Sequence, residues 1–475
     1  MTKAHLTPTS RQEIRRIFEL QQQNHLAVGR TTAKERIQKL QRLKSVIQEH
    51  MDEIRAAIYQ DFKKPEVEVD LTEIYPVIKE IKHVSSQLKR WMKPRRVGTP
   101  LAMIGSTSYV QYQPKGVVLI ISPWNYPINL TLIPLVTAIA AGNCVILKPS
   151  ENTPNSSRVM QKMVEAIFQE EEVAMVQGAV DTAQALLELP FNHIFFTGAP
   201  SIGKIVMKAA AKNLTSVTLE LGGKSPTIVD QTADIQKAAS RISWGKFTNT
   251  GQTCIAPDYI LAHESIKDEL VSAIQKSIND FYGSDAKSAE DYPRIVNEKH
   301  LERLTSYLED AQSKGASILS GGSHDAEENY LAPTLLGDVS DDATISDEEI
   351  FGPILPIYTY KELSQAIDYV NSKEKPLALY IFSKNQQHID RILRDTRAGG
   401  TSINQTVMHF TNNNLPFGGD NNSGIGKSHG WYGFEAFSNA RSVLRQKWPI
   451  SATDLATPPY NNFKRKLAAI TLKWL

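Results

Sequence analysis

Five short apolar runs, at 116–122, 144–148, 174–177, 193–197 and 217–221, follow one another with helical stretches between them. Each reads as a strand buried on both faces. Repeated alternation of strand and helix leaves few architectures open, and the favoured one is a parallel sheet covered by helices on both faces. A similar pattern restarts beyond residue 254, with strands near 259–262, 355–360 and 377–382. Two α/β domains with the chemistry at their junction are therefore expected. Ahead of them, Ile37, Leu40, Leu43, Ile47, Met51, Ile54, Ile58 and Phe62 recur at steps of three and four, the mark of amphipathic helices. A second such stretch runs over 74–91 and stops at Lys93-Pro94, and 105–113 alternates like an exposed edge strand that needs a partner.

The 475 residues, 41% of them hydrophobic, suffice for two or three proper cores. Lys+Arg 53 against Asp+Glu 51 gives +2, which is no electrostatic case for a nucleic-acid partner. The most apolar stretch, 127–147, is interrupted by Asn129, Thr131, Pro134, Thr137 and Asn143, so it reads as a buried helix feeding a buried strand. The opening Met1-Thr2-Lys3-Ala4-His5 has no apolar signal core. A soluble, cytoplasmic protein is expected.

There are 2 cysteines, and they differ. Cys144 lies inside a continuous apolar run and reads as core, whereas Cys254 stands in Gly251-Gln-Thr-Cys-Ile-Ala-Pro257, as if presented to a pocket. Neither supports a disulfide framework, which points to a reducing compartment. A lone cysteine is ordinarily a small buried apolar residue, but a thiolate is also the best nucleophile near neutral pH. Glu220, in Leu219-Glu-Leu-Gly-Gly-Lys-Ser225, follows an apolar run and precedes two glycines, where a strand stops and something approaches the backbone closely. A thiol with a separate carboxylate fits covalent catalysis followed by base-assisted deacylation.

The 193–197 strand runs into Gly198-Ala199-Pro200-Ser201-Ile202-Gly203-Lys204 and then a helix, a geometry that aims backbone N–H groups at a phosphate. The spacing nearly matches a P-loop, but Ile205 stands where Ser or Thr would hold magnesium, and G-x-G-x-x-G is not met. A plain strand–helix turn is the alternative. Lys148-Pro-Ser-Glu151 closes another strand at the edge where such sheets bind ligands; a solvated turn is again the bland reading.

Together these segments resemble the aldehyde dehydrogenase superfamily, and within it the shorter class 3-like branch of fatty and aromatic aldehyde dehydrogenases. The resemblance runs from about 30 to 450 and rests on Pro123-Trp-Asn-Tyr-Pro127, Lys148-Pro-Ser-Glu151, Phe196-Thr-Gly198 with Gly203, Glu220-Leu-Gly-Gly-Lys224, Gly251-Gln-Thr-Cys254, Glu348-Glu-Ile-Phe-Gly-Pro353 and Pro416-Phe-Gly-Gly419. It implies a Rossmann-type cofactor domain over 1–219, an α/β catalytic domain over 220–415, a return segment with an oligomerisation arm over 416–450 and a tail over 451–475. The 105–113 strand would belong to that arm.

The same resemblance implies that Cys254 attacks an aldehyde and that Asn125 with the Cys254 N–H holds the oxyanion. Glu220 would then activate the water that hydrolyses the thioester. It places the cofactor against Trp124, with Lys148 and Glu151 at the adenosine ribose. Gly198, Ala199, Pro200, Ser201, Ile202 and Gly203 would lie under the pyrophosphate, Gly222 and Gly223 beside nicotinamide, and Glu349 and Phe351 at its ribose. Glu151 favours NAD over NADP, although the branch uses both. A homodimer is implied as well. Acyl transfer to coenzyme A is disfavoured by Glu220, and a thiol esterase or a retired enzyme by the intact cofactor segments and site.

One departure from the family pattern is Asp420-Asn421 after Gly418-Gly419, which alters a turn supporting the site. Tyr126, Trp244, His409 and Phe410 are expected to line an aromatic substrate funnel, each with core packing as its alternative. The scattered histidines give no metal site. In the tail, Phe463, Leu467, Ile470 and Trp474 share one helical face among Lys464, Arg465, Lys466 and Lys473. That face suits packing on a partner subunit or the funnel mouth, with peripheral membrane contact as the less favoured reading.

Overall fold

The computed structural model describes residues 6–100, 103–449 and 451–474. The opening residues Met1 to His5, Leu475 and the Trp474 side chain lie outside them. The five leading apolar runs form the strands Val117–Ile121, Cys144–Lys148, Val173–Met175, His193–Gly198 and Ser216–Leu221. They are parallel, with Val117–Ile121 flanked by His193–Gly198 on one side and Cys144–Lys148 on the other. This reversal of strand order opens a crevice at the carboxyl ends, where Lys148, Gly198 and Glu220 sit. Cys144 is fully buried within this sheet.

A second sheet has seven strands, running Ser317–Ser320, Thr334–Gly337, Ile354–Tyr360, Tyr259–His263, Pro226–Val229, Ala378–Phe382, Gly400–Ile403 from edge to edge. Only the first edge strand is antiparallel. The chain crosses between sheets at 222–225, so the division expected after 219 cuts through a strand. The strand persists through Leu221 because that side chain is buried in the first sheet's core, and Gly222 is the first residue free of it.

The return segment divides as well. Gly424–Ile425 adds an antiparallel strand beside Ser216–Leu221, setting Gly424 opposite Glu220. Ser438–Gln446 then pairs along the whole of Ser106–Pro114, whose other edge takes Arg95–Val97. The alternating 105–113 segment thus finds partners on both sides.

Helices Ala33–Glu49, Met51–Phe62 and Tyr75–Trp91 carry the amphipathic pattern, burying Leu40, Leu43, Ile47, Ile54 and Ile58 completely. Asn129–Ala141 is buried nearly all round, as its even apolar composition requires. Its C-terminus ends on Gly142 at φ +90°, where a Cβ would run into the Arg36 guanidinium. Arg36 donates 2.9 Å bonds to the Ala140 and Gly29 carbonyls and a 3.0 Å bond to Thr31 Oγ1. A buried cation with no carboxylate partner is thus used as a helix cap. Arg36→Met leaves those carbonyls unpaired and should cost roughly 1.5–3 kcal/mol. Chemical denaturation checks this, with the midpoint expected to fall.

Candidate active site

Cys254 is placed by an unusual turn. After the helix Ile235–Phe247, Asn249 and Thr250 both adopt left-handed backbone, at φ +53° and +50°. Gly251 follows at φ +71°, where a Cβ would collide with the Gly352 carbonyl. Gln252 locks this turn from inside. Its fully buried Nε2 donates to Asn249 O at 3.1 Å, Thr250 Oγ1 at 2.7 Å and Arg294 O at 3.1 Å, while its Oε1 accepts from Val296 N at 3.0 Å. On the far side, Tyr126 and Thr253 hydroxyls meet at 2.7 Å and Tyr380 donates to Ile255 O at 2.5 Å. Cys254 is left partly exposed at the rim of this rigid loop.

Asn125 reaches the same loop from the first sheet. Its Nδ2 donates to Gln252 O at 3.0 Å, which orients the amide toward the cysteine turn and leaves its second N–H available. Glu220 stands at the end of its strand, 5% exposed, with no hydrogen-bond partner for either carboxylate oxygen. Burial pushes its carboxyl up to about 8, and nearby Ser428 and Lys427 only moderate that. Burial, followed by the Glu349 and Glu220 carboxylates, likewise drives the Cys254 thiol well above the usual thiol range. Burial thus favours the thiol over the thiolate at rest, so its proton must leave as the sulfur reacts.

Two cavities meet here. A pocket of about 250 Å³ is walled by Leu71, Tyr75, Ile133, Trp244, Met408 and Phe410 and is almost wholly apolar. A larger cleft of about 1120 Å³ extends along the carboxyl ends of the first sheet. Cys254 and Glu220 line both. Tyr126 and Phe410 belong to the apolar pocket as expected, and Trp244, 38% exposed, faces it too. His409 does not line it. Its ring turns beneath the loop against Tyr380 and Phe417, with Nδ1 3.2 Å from Ser402 Oγ, because successive side chains of the 3₁₀ turn Met408–Thr411 point about 120° apart and His409 falls on the face away from the pocket. His429, which the sequence did not single out, lines the pocket instead.

The cleft fits a dinucleotide. Trp124, Gly198, Ala199, Pro200, Ser201, Gly222, Glu349 and Phe351 all line it. The helix Pro200–Ala211 opens onto it by its N-terminus, and Pro200 occupies the first position, where a missing N–H costs nothing. A Cβ on Gly222 would overlap the Glu349 carboxylate, which would have to swing aside to make room. Gly203 has a packing role, since its Cβ would meet Leu221, and Ile202 points outward at 46% exposure. Lys148 and Glu151 lie at the strand end beside the cleft and pair with each other at 3.0 Å, outside its lining.

The segment bearing Glu349 is anchored by a pair the sequence reading missed. Lys224 Nζ bonds Asp258 Oδ1 at 2.5 Å and the Ile345 and Glu348 carbonyls at 2.8 and 3.0 Å, and Asp258 accepts from Ile350 N at 3.0 Å. Arg303 adds a 2.9 Å bond to Ile350 O, and Trp124 meets the Phe351 ring edge-on at 5.4 Å. The altered turn is tied down as well: Lys375 pairs with Asp420 at 3.0 Å and with Asn421 Oδ1 at 2.5 Å.

Among the described residues, no three His, Cys, Asp or Glu side chains converge to hold a metal ion, and no helix is long and apolar enough to cross a membrane. The tail forms the helix Asn462–Trp474 with Phe463 and Ile470 exposed at 65% and 57%.

The aldehyde dehydrogenase family model matches residues 2–443. The chain is 46% identical over 425 residues to 4,4'-diaponeurosporen-aldehyde dehydrogenase of Staphylococcus aureus, covering 90% of this chain and 92% of the relative. It is 45% identical over 430 residues to mouse aldehyde dehydrogenase family 3 member A2, covering 90% and 88%. A solved structure described as the substrate-bound state of Staphylococcus aureus AldH superposes with a TM-score of 0.93 at 43% identity, over 96% of this chain and 99% of that one. A junction of thiol, carboxylate and dinucleotide cleft, carried on a sequence and fold shared to this extent, makes the chain a member of the aldehyde dehydrogenase family, whose enzymes use NAD(P).

Proposed function

We propose that the chain oxidises medium- or long-chain aliphatic or aromatic aldehydes to carboxylic acids through a covalent intermediate on Cys254. The observation that carries this reading is the position of Cys254 and Glu220 on both the apolar pocket and the dinucleotide cleft. An aldehyde held by its apolar tail would present its carbonyl at the one point where a nucleophile and a cofactor cleft meet.

As the Cys254 sulfur adds to that carbonyl its thiol proton passes to solvent water, and a thiohemiacetal oxyanion forms. The free Asn125 N–H and the Cys254 backbone N–H donate to the oxygen as it gains charge, and removing one such donor costs roughly 10²–10³ in rate. NAD(P), when bound in the cleft, supplies the hydride acceptor. The resulting Cys254 thioester is hydrolysed by water whose proton Glu220 accepts, a contribution of roughly 10²–10⁴. The absence of any partner on the Glu220 oxygens supports this role, because its lone pairs stay open to water. Trp124, Ser201, Glu349 and Phe351 hold the dinucleotide, and a carboxylate at Glu151 favours NAD. The assembly proposed is a homodimer, with the Ser106–Pro114 and Ser438–Gln446 strands as its arm.

Cys254→Ala should abolish turnover while NAD binding persists, and Cys144→Ala should remain active; absorbance at 340 nm with hexanal checks both activities and calorimetry checks NAD binding. Glu220→Gln should release about one NADH per site in a burst and then turn over slowly, because the thioester forms before activated water is needed. Glu220 is a carboxylic acid below about 8 and becomes a base above it, so wild-type deacylation should rise with pH through that value. The Gln variant should lack this limb. In the apolar pocket each added methylene is worth about 0.8 kcal/mol, so kcat/KM should climb roughly fourfold per carbon until the pocket is full. A flat series over a chain-length panel contradicts the substrate assignment.

A further inference from the structure

The turn that carries Asn125 rests on a buried ion pair that lines neither cavity. Lys64 and Glu73 are both wholly buried, with Lys64 Nζ 3.2 Å from Glu73 Oε1. The same ammonium lies 3.4 Å from the Asn125 carbonyl and 4.2 Å over the Tyr126 ring. Glu73 turns its other oxygen to the Ile128 and Asn129 N–H groups, at 3.1 and 2.9 Å, at the start of the helix Asn129–Ala141. That helix has no side-chain cap of its own, so Glu73 supplies one from a different segment. Glu73 lies within the π-helical turn Asp70–Ile74.

The pair also connects to the cysteine loop. Asn249 Nδ2 donates to the Asn125 carbonyl at 2.9 Å and to Gln252 O at 3.1 Å, and Glu68 Oε1 accepts Asn249 N at 2.9 Å. The backbone of Asn125 is thus held by Lys64 from beneath and by Asn249 from the side. Its side chain is held by Gln252 O, which leaves the amide no freedom to rotate away. A buried ion pair is weak support for stability, since apolar residues of the same volume serve as well or better. What such a buried network of charge-assisted bonds does supply is a fixed geometry for the groups it joins.

We infer that Lys64 and Glu73 are positioning residues that fix the Asn125 amide at the carbonyl-binding point. The inference rests on the reading of Asn125 as an oxyanion donor. Displacing such a donor by about 1 Å is worth as much as roughly 10² in rate.

The test uses the full-length enzyme carrying Lys64→Met with Glu73→Gln, which removes both charges together and avoids stranding either one. Stopped-flow absorbance at 340 nm with hexanal reads the first turnover, and calorimetry reads NAD affinity. The pair should slow the first turnover by roughly 10–10²-fold with NAD affinity and the pocket's KM trend unchanged. Placed on Asn125→Ala, the same pair should have almost no further effect, because the group it positions is gone. A first turnover at the wild-type rate overturns the inference, and so do losses that multiply in the Asn125→Ala background. If Asn125→Ala itself leaves the first turnover intact, the oxyanion reading falls and takes this inference with it. Glu73→Gln alone, which keeps an oxygen for the helix N–H groups, should move the first turnover in the same direction and provides the measurement should the double variant not fold.

Discussion

The site depends on one hydrogen bond between segments of two different sheets, from Asn125 Nδ2 to the Gln252 carbonyl at 3.0 Å. Asn125 follows the Val117–Ile121 strand of the first sheet, and Gln252 leads into the Tyr259–His263 strand of the second. Neither domain alone holds a carbonyl-binding point next to a sulfur. Gln252 is fit for the task because its side chain is spent entirely on internal bonds, which leaves its carbonyl fixed as an acceptor. Asn249 reinforces the junction by bonding both carbonyls at once.

Around that junction the protein sorts chemistry by wall. In the proposed reaction the apolar pocket would receive the part of a substrate that gains from leaving water, and the cleft the charged and hydroxylated part of a dinucleotide. Cys254 and Glu220 occupy the boundary, where burial raises both groups toward their neutral forms. A protonated thiol and a carboxyl poised near neutrality are suited to a reaction that starts only when a substrate arrives. The Glu349 carboxyl, pushed up to about 8 by burial and then by Asp258, shares this environment.

Residues whose local context is odd were legible in the sequence. A carboxylate before two glycines at a strand end, and a cysteine among small residues, declare themselves because neither fits a core. The strands of both sheets were legible where the run was long and apolar, as at 144–148 and 355–360. Pro226–Val229 and Gly400–Ile403 were not, since four residues next to proline or glycine carry no period. Bonds between distant positions left no trace: Lys224 with Asp258 and Lys64 with Glu73 join residues that look like ordinary surface charges until the fold brings them together, as does Arg36, which meets the Ala140 carbonyl. His409 shows the converse. Its neighbours Met408 and Phe410 do face the pocket, but a tight turn separates adjacent side chains, so proximity in sequence misplaced it by one position.

The central claim is that carbon from the aldehyde becomes bonded to Cys254. The most direct measurement is peptide-mapped mass spectrometry of the Glu220→Gln enzyme, mixed with hexanal and NAD and quenched in acid. The account predicts a hexanoyl increment on the peptide containing Cys254, none on the peptide containing Cys144, and none anywhere when NAD is omitted. An acyl group on another residue, or a burst of NADH with no acylated peptide, contradicts it.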